Sequence, residues 1–222
     1  MKFTPLNGRG CGIAVEGCIV AVPKHAFVIM DAEALAEYTK FEGEHCDAIM
    51  MLDLRAGRGG GGCIAALLVE AKYAQRSISS YIVDYARYKR GESPKPSLPG
   101  FIEKIPRKLS LCAKLLTKLL NPRYTPSVYL IAVAIPDPWK AAVNTLEGIP
   151  GHIALRIVEE ASRSLLGVLR DRAIEACKSL EGESYSCKAG IIACGRKHHK
   201  LEKEFDRVAD DVCAASRSGI ER

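Results

Sequence analysis

CDAIMMLDLRAGRGGGGCIAALLVEAKY, residues Cys46 to Tyr73, sets two apolar runs around a glycine-rich centre. Apolar runs separated by a turn-forming tip predict a β-hairpin. The runs are nearly continuous rather than alternating, so both faces of the sheet are expected to be covered. The second run ends in Glu70 and Lys72 with one residue between them. Residues two apart in a strand share a face. Pairing Ala56 with Cys63 at the tip places Asp47 opposite Lys72 and Ile49 opposite Glu70. Opposed residues in an antiparallel pair point the same way. Asp47, Glu70 and Lys72 are therefore expected on one face, at one end of the hairpin. A slip of a single residue would remove Asp47 from that face.

Two neighbouring carboxylates suit Mg²⁺, which takes one or two carboxylates together with waters and a phosphate. A lysine beside them can orient an attacking water and neutralise developing phosphate charge. The same three residues also read as a plain ion pair at a strand end, and spacing alone does not separate the two readings. The glycines are not a phosphate loop, because no Gly-Lys-Ser/Thr follows and a strand comes next.

Upstream, Gly12 to Met30 reads as short extended runs broken by Gly or Pro. Asp31 is a candidate N-cap for a helix over Asp31–Glu42, stopped by Gly43. Downstream, a helix is expected over Ala74–Arg90. After the break GESPKPSLPG, Pro106 can sit in the first turn of the next helix. Leu109, Cys112, Leu116 and Leu119 give that helix its apolar stripe, with Arg107, Lys108, Lys114 and Lys118 largely opposite. Ser127–Ile135 reads as a buried strand and His152–Leu180 as a long amphipathic helix. A last strand, CKAGIIAC, and a C-terminal helix over Lys200–Ala215 complete the chain. The expected class is α/β, a mixed central sheet flanked by helices with further helices at the C-terminus.

The 222 residues suit one domain, with 48% hydrophobic and 26% charged residues and a net charge of +6. The positive charge is concentrated. Ten basic residues lie between Arg87 and Arg123, opposed by Glu92 and Glu103 alone. Arg87, Lys89, Arg90, Arg107, Lys108, Lys114 and Lys118 are the candidate nucleic-acid contacts, and a solvated helix face is the alternative. The apolar run Val128 to Ile135 is far below the roughly 20 residues a membrane span needs. No apolar signal core opens the chain, so a cytoplasmic protein without a membrane partner is expected. The nine cysteines form no CxxC pair; most of them read as small buried hydrophobes, and the sequence does not show which of them pair. A single glutamine, Gln75, and few asparagines give a thermophile-like bias.

Asp47, a hairpin, and then Glu70-Ala71-Lys72 resembles the PD-(D/E)xK nuclease superfamily. That superfamily includes restriction endonucleases, archaeal Holliday-junction resolvases and RecB-type nucleases. The resemblance covers about residues 31 to 135 and leaves 136 to 222 as a helical and strand extension of a single domain. It implies a restriction-endonuclease-like core: a helix, a three-stranded antiparallel meander, a crossover helix and a further strand. It implies a metal-dependent nuclease acting on DNA in repair, recombination or defence, and a homodimer. By the resemblance Asp47, Glu70 and the Ala71 carbonyl would bind Mg²⁺ or Mn²⁺, and Lys72 would serve the water. Glu33 and Glu37 are candidates for the acidic residue that many members carry on the first helix. Gln75 and Tyr81 are similar to the Gln…Tyr element of RecB-type members, at a different spacing. Two features depart from the family: Cys46 rather than proline precedes Asp47, and the hairpin tip is unusually rich in glycine. An inactive nuclease-like fold that binds nucleic acid or protein is the alternative.

Lesser candidates are Asp53, which shares parity with Asp47, and His45, two residues before it. His198 and His199 could touch phosphate. Cys187, Cys194 and Cys213 resemble the iron–sulfur ligands of some RecB-type nucleases, although their spacings do not fit.

Overall fold

The computed structural model describes residues 2–5, 11–15, 17–22, 26–53, 64–120, 126, 128–138, 151–181 and 186–194. The strands are β1 (Lys2–Pro5), β2 (Cys11–Val15), β3 (Cys18–Ala21), β4 (Ala26–Asp31), β5 (Ala48–Asp53), β6 (Ile64–Ala71), β7 (Val128–Ile135) and β8 (Ser186–Ala193). The helices are α1 (Ala32–Tyr38), α2 (Gln75–Lys89), α3 (Phe101–Leu119) and α4 (Gly151–Glu181). The expected C-terminal helix over Lys200–Ala215 and the hairpin tip lie outside the described residues.

β4 to β8 form one sheet in the order β4-β5-β6-β7-β8. β4, β5 and β6 pair antiparallel, while β6, β7 and β8 pair parallel. The parallel steps need long crossovers. α2 and α3 make the first and α4 the second. The protein is thus mixed α/β, as the alternation of runs predicts. β4 pairs with β5, so the hairpin belongs to a three-stranded antiparallel meander, the strand number the resemblance implies, but α1 sits between its first two strands rather than before them.

Alternation sorts the side chains of the sheet into two cores. Ile49, Met51, Ala66, Leu68, Ile131 and Val133 pack under the helices with Ile82, Ile105, Leu109 and Leu165. Ala48, Met50, Leu67, Val69 and Ala132 face the small sheet β1-β2-β3 through Ile13 and Val20. Both faces are covered, which is why the runs of β5 and β6 are apolar without a break. Gly17 turns β2 into β3 at φ +79°, a conformation that favours glycine, and a Cβ there would lie 3.1 Å from the Tyr73 Cβ. The small sheet therefore closes against the chain just beyond Lys72.

Two helix boundaries differ from the expected ones. α1 ends before Gly43 because Lys40 takes a left-handed φ of 51°. Phe41 N–H then donates to Ala36 O at 2.8 Å and Lys40 N–H to Glu37 O at 3.1 Å, a Schellman stop that needs no glycine. α3 begins at Phe101, so Pro106 lies inside it rather than in its first turn. Interior proline costs about 3 kcal/mol. Ile102 and Ile105, both fully buried, extend the stripe of Leu109, Cys112 and Leu116 and offset that cost. Burying two such side chains contributes roughly 3–6 kcal/mol. Leu119 is only partly buried, at the end of the stripe.

Cys18, Cys46, Cys112, Cys177 and Cys187 are buried, in line with the expected hydrophobic role, and their pairing, which the sequence left open, comes with the structure. Cys18–Cys194, Cys46–Cys112 and Cys177–Cys187 form disulfides. The second ties the residue before Asp47 to α3 across 66 residues of chain. Replacing Cys46 and Cys112 by alanine is expected to lower stability by up to about 4 kcal/mol, the loop-closure entropy of such a ring. Urea unfolding should show that gap without reductant and lose it when both proteins are reduced. A gap that survives reduction would assign it to packing instead.

Candidate active site

Register decides which charges meet. β5 and β6 pair Ala48 with Val69, Ile49 with Leu68 and Met50 with Leu67. The expected pairing of Asp47 with Lys72 and Ile49 with Glu70 is therefore displaced by two residues. A displacement of two keeps every side chain on its face, whereas one would have reversed them. Continuing the observed register by one residue sets Asp47 opposite Glu70. Asp47 N–H donates to Val69 O at 2.9 Å, and Ala71 N–H donates to Asp47 Oδ2 at 2.6 Å. The carboxylate of Asp47 thus closes the β5–β6 ladder where backbone pairing ends.

Glu70 is the one charged residue buried to the level of the core among the described residues, at 1% exposure. It lies on the helix side of the sheet, in line with Ala66 and Leu68. Its Oε1 accepts from Lys108 Nζ at 3.0 Å and lies 3.8 Å from Lys72 Nζ. Its Oε2 is buried and has no hydrogen-bond partner among the described residues. Burial pushes the Glu70 carboxyl up to about 7, the nearby Asp47 charge adds to this, and Lys108 and Lys72 oppose it. Lys72 is 23% exposed, and its backbone N–H is anchored to Ala134 O at 2.8 Å. The three residues singled out in the hairpin therefore do converge. Lys72 and Glu70 also make the ion pair that was the alternative reading.

Lys108 was expected with the outward cations of α3. It is instead turned in to Glu70 and 16% exposed. Helical period alone leaves it at the margin of the polar face, and only the seating of α3 on β6 turns it inward. Arg107, Lys114 and Lys118 do face outward, and Lys118 lies 5.6 Å from the Phe41 ring centroid. On α2, Arg87 pairs with Asp84 at 3.7 Å, Lys89 with Glu160 at 2.6 Å, and Arg90 with Glu92 at 3.0 Å. Those three charges are met within the chain.

Glu33 and Glu37 are exposed on α1 and line a hollow of about 500 Å³ with Lys40, Glu42 and His45. α1 is joined to the site by its backbone, where Ala32 N–H donates to Asp47 O at 3.3 Å. Gln75 accepts from the Tyr73 hydroxyl at 2.9 Å, and Tyr81 is buried with its hydroxyl 3.2 Å from Ser164 Oγ. Neither reaches Glu70. Asp53 pairs with Ile64 at the far end of β5. His198 and His199 lie outside the described residues, as does Cys213. Cys187 and Cys194 each have a disulfide partner, which excludes them as iron–sulfur ligands in this state.

Among the described residues no three His, Cys, Asp or Glu side chains gather around one point. A site with two carboxylates and no third is still the kind that Mg²⁺ occupies, since waters and substrate phosphate complete its shell. The buried, unpartnered Oε2 of Glu70 is an atom that such an ion would satisfy. The donor set fits a hard divalent cation. The chain matches no family model, no curated protein and no solved structure.

Proposed function

We propose that the chain is a metal-dependent nuclease that hydrolyses phosphodiester bonds, acting on DNA. The observation that carries this reading is Glu70. Its carboxylate is buried beside Asp47 and Lys72, with one oxygen held by lysines and the other without a hydrogen-bond partner among the described residues. The sheet order β4-β5-β6-β7, antiparallel and then parallel, supports the restriction-endonuclease-like core that the resemblance implies. α1 within the meander, rather than before it, is a departure from that pattern.

Asp47 and Glu70 would hold Mg²⁺ or Mn²⁺, with the Ala71 carbonyl as a further ligand. The ion would supply Lewis-acid polarisation of the phosphate. Lys72, one residue beyond β6 and partly exposed, would direct its ammonium to the attacking water and to the charge that grows on phosphate. The α3 cations supply phosphate contacts that position the strand without reading sequence. Incubating DNA with the protein and Mg²⁺, then with EDTA, tests the reading. Cleavage that needs the metal and is lost in Glu70→Gln supports it.

The α3 and α2 cations should then behave differently. Arg107→Ala and Lys114→Ala are each expected to lower the slope of log affinity against log salt by about 1 on duplex DNA. Arg87→Ala should leave it nearly unchanged, because Asp84 already meets that charge. Fluorescence-anisotropy titrations at several salt concentrations check this, and equal slopes for all variants would remove α3 as the track.

A second reading rests on the 3.0 Å Lys108–Glu70 bond. Two lysines around one buried carboxylate also make a structural charge cluster in a protein that only binds nucleic acid. Salt-sensitive binding without metal-dependent cleavage would favour it.

A further inference from the structure

We propose that Lys108 is a resident counter-ion of the carboxylate site, which a divalent cation displaces when it binds. This deepens the nuclease reading and rests on its metal site. The α3 neighbours Lys104, Arg107, Lys114 and Lys118 are exposed, whereas Lys108 is 16% exposed with Nζ 3.0 Å from Glu70 Oε1. A buried carboxylate left without a partner is costly, so the ionised, metal-free site needs a cation beside it. The lysine meets that need only in part, since Glu70 Oε2 keeps no hydrogen-bond partner among the described residues. A divalent ion between Asp47 and Glu70 satisfies more of the oxygen set and repels the ammonium.

The structure supplies the means for the exchange. A lysine head sits on a flexible four-carbon stem, so it can withdraw towards solvent without moving backbone. Cys112 lies one turn beyond Lys108 and is bonded to Cys46, next to Asp47. That bond holds α3 against the carboxylates, and the lysine side chain is the part left to move. Once displaced, its charge lies beside the α3 cations, where substrate phosphate would meet it.

The test is Mn²⁺ affinity, read by calorimetry on the full chain without DNA. Lys108→Met is expected to bind Mn²⁺ about tenfold more tightly than wild type, and Lys108→Arg to show no gain. In wild type, the ¹⁵N ammonium resonance of Lys108 should shift on adding Mg²⁺ as its bond to Glu70 breaks, a readout that does not depend on the folding of any variant. Equal or weaker Mn²⁺ binding by Lys108→Met, or an unmoved resonance while the metal binds, overturns the proposal and leaves the metal site standing. Failure of wild type and variant alike to bind Mn²⁺ overturns both.

Discussion

Glu70→Gln is expected to reduce metal-dependent cleavage by roughly 10³-fold or more. A bound metal contributes several kcal/mol to such a reaction, and each 1.36 kcal/mol is about tenfold in rate. The same substitution should change the pH dependence of stability. The Glu70 carboxyl titrates at about 7 in the folded chain, against an ordinary 4.5. Between those values the folded chain holds a proton that the unfolded chain has released. Stability therefore falls as pH rises through that window and is level above it. The whole effect is about 3 kcal/mol at most. Glutamine has no such titration. Glu70→Gln should gain on wild type by that amount between pH 4.5 and 7.5, the range that brackets the shift. Urea unfolding at a series of pH values without metal measures it. Mg²⁺ should narrow the gap by favouring the ionised wild-type carboxylate. Parallel pH profiles for the two proteins would show that Glu70 is not a buried acid with a raised pKa.

Lys72→Ala should slow cleavage by roughly 10²–10⁴-fold, the usual contribution of a group that assists proton transfer or charge in a transition state. Its effect on stability should stay within about 1 kcal/mol. Lys108 lies nearer to Glu70 than Lys72 does, at 3.0 Å against 3.8 Å, and continues to neutralise it. Mn²⁺ binding should persist, because both carboxylates remain. Single-turnover cleavage together with Mn²⁺ titration separates these effects. Cleavage at the wild-type rate by Lys72→Ala would end the mechanism given for this residue. Loss of both cleavage and Mn²⁺ binding would move Lys72 from the chemistry to the architecture of the site.

Several elements were legible in the sequence for local reasons. Asp31 caps α1 as expected, with its Oδ1 accepting from Glu33 N–H at 3.1 Å. α2 runs Gln75–Lys89 within the expected Ala74–Arg90, and β7 begins one residue inside Ser127–Ile135. Each rests on a pattern that repeats within a few residues. The misplaced starts and stops have local causes that composition does not announce. Lys40 took the left-handed position that Gly43 was expected to hold, and buried isoleucines carried α3 back past its proline.

The strand period of two put Glu70 and Lys72 on one face by itself, and Asp47 joined them through an assumed register of the right parity. Asp47, Glu70 and Lys72 keep one face in the expected register and in the observed one, because the two differ by an even number of residues. Their order along that face came only with the tertiary structure. A glycine-rich tip specifies register weakly, and the packing of β5 and β6 between two layers specifies it strongly. Which of the upstream extended runs pairs with β5 likewise came only with the tertiary structure, since an edge strand's partner is set by the sheet and not by its own residues. Lys108 shows the limit most directly. It is 38 residues from Glu70 in the chain. It reaches that carboxylate because α3 lies across β6 and Cys112 is bonded to Cys46. A contact of that kind depends on how two finished elements are set against each other, and no period within either of them encodes it.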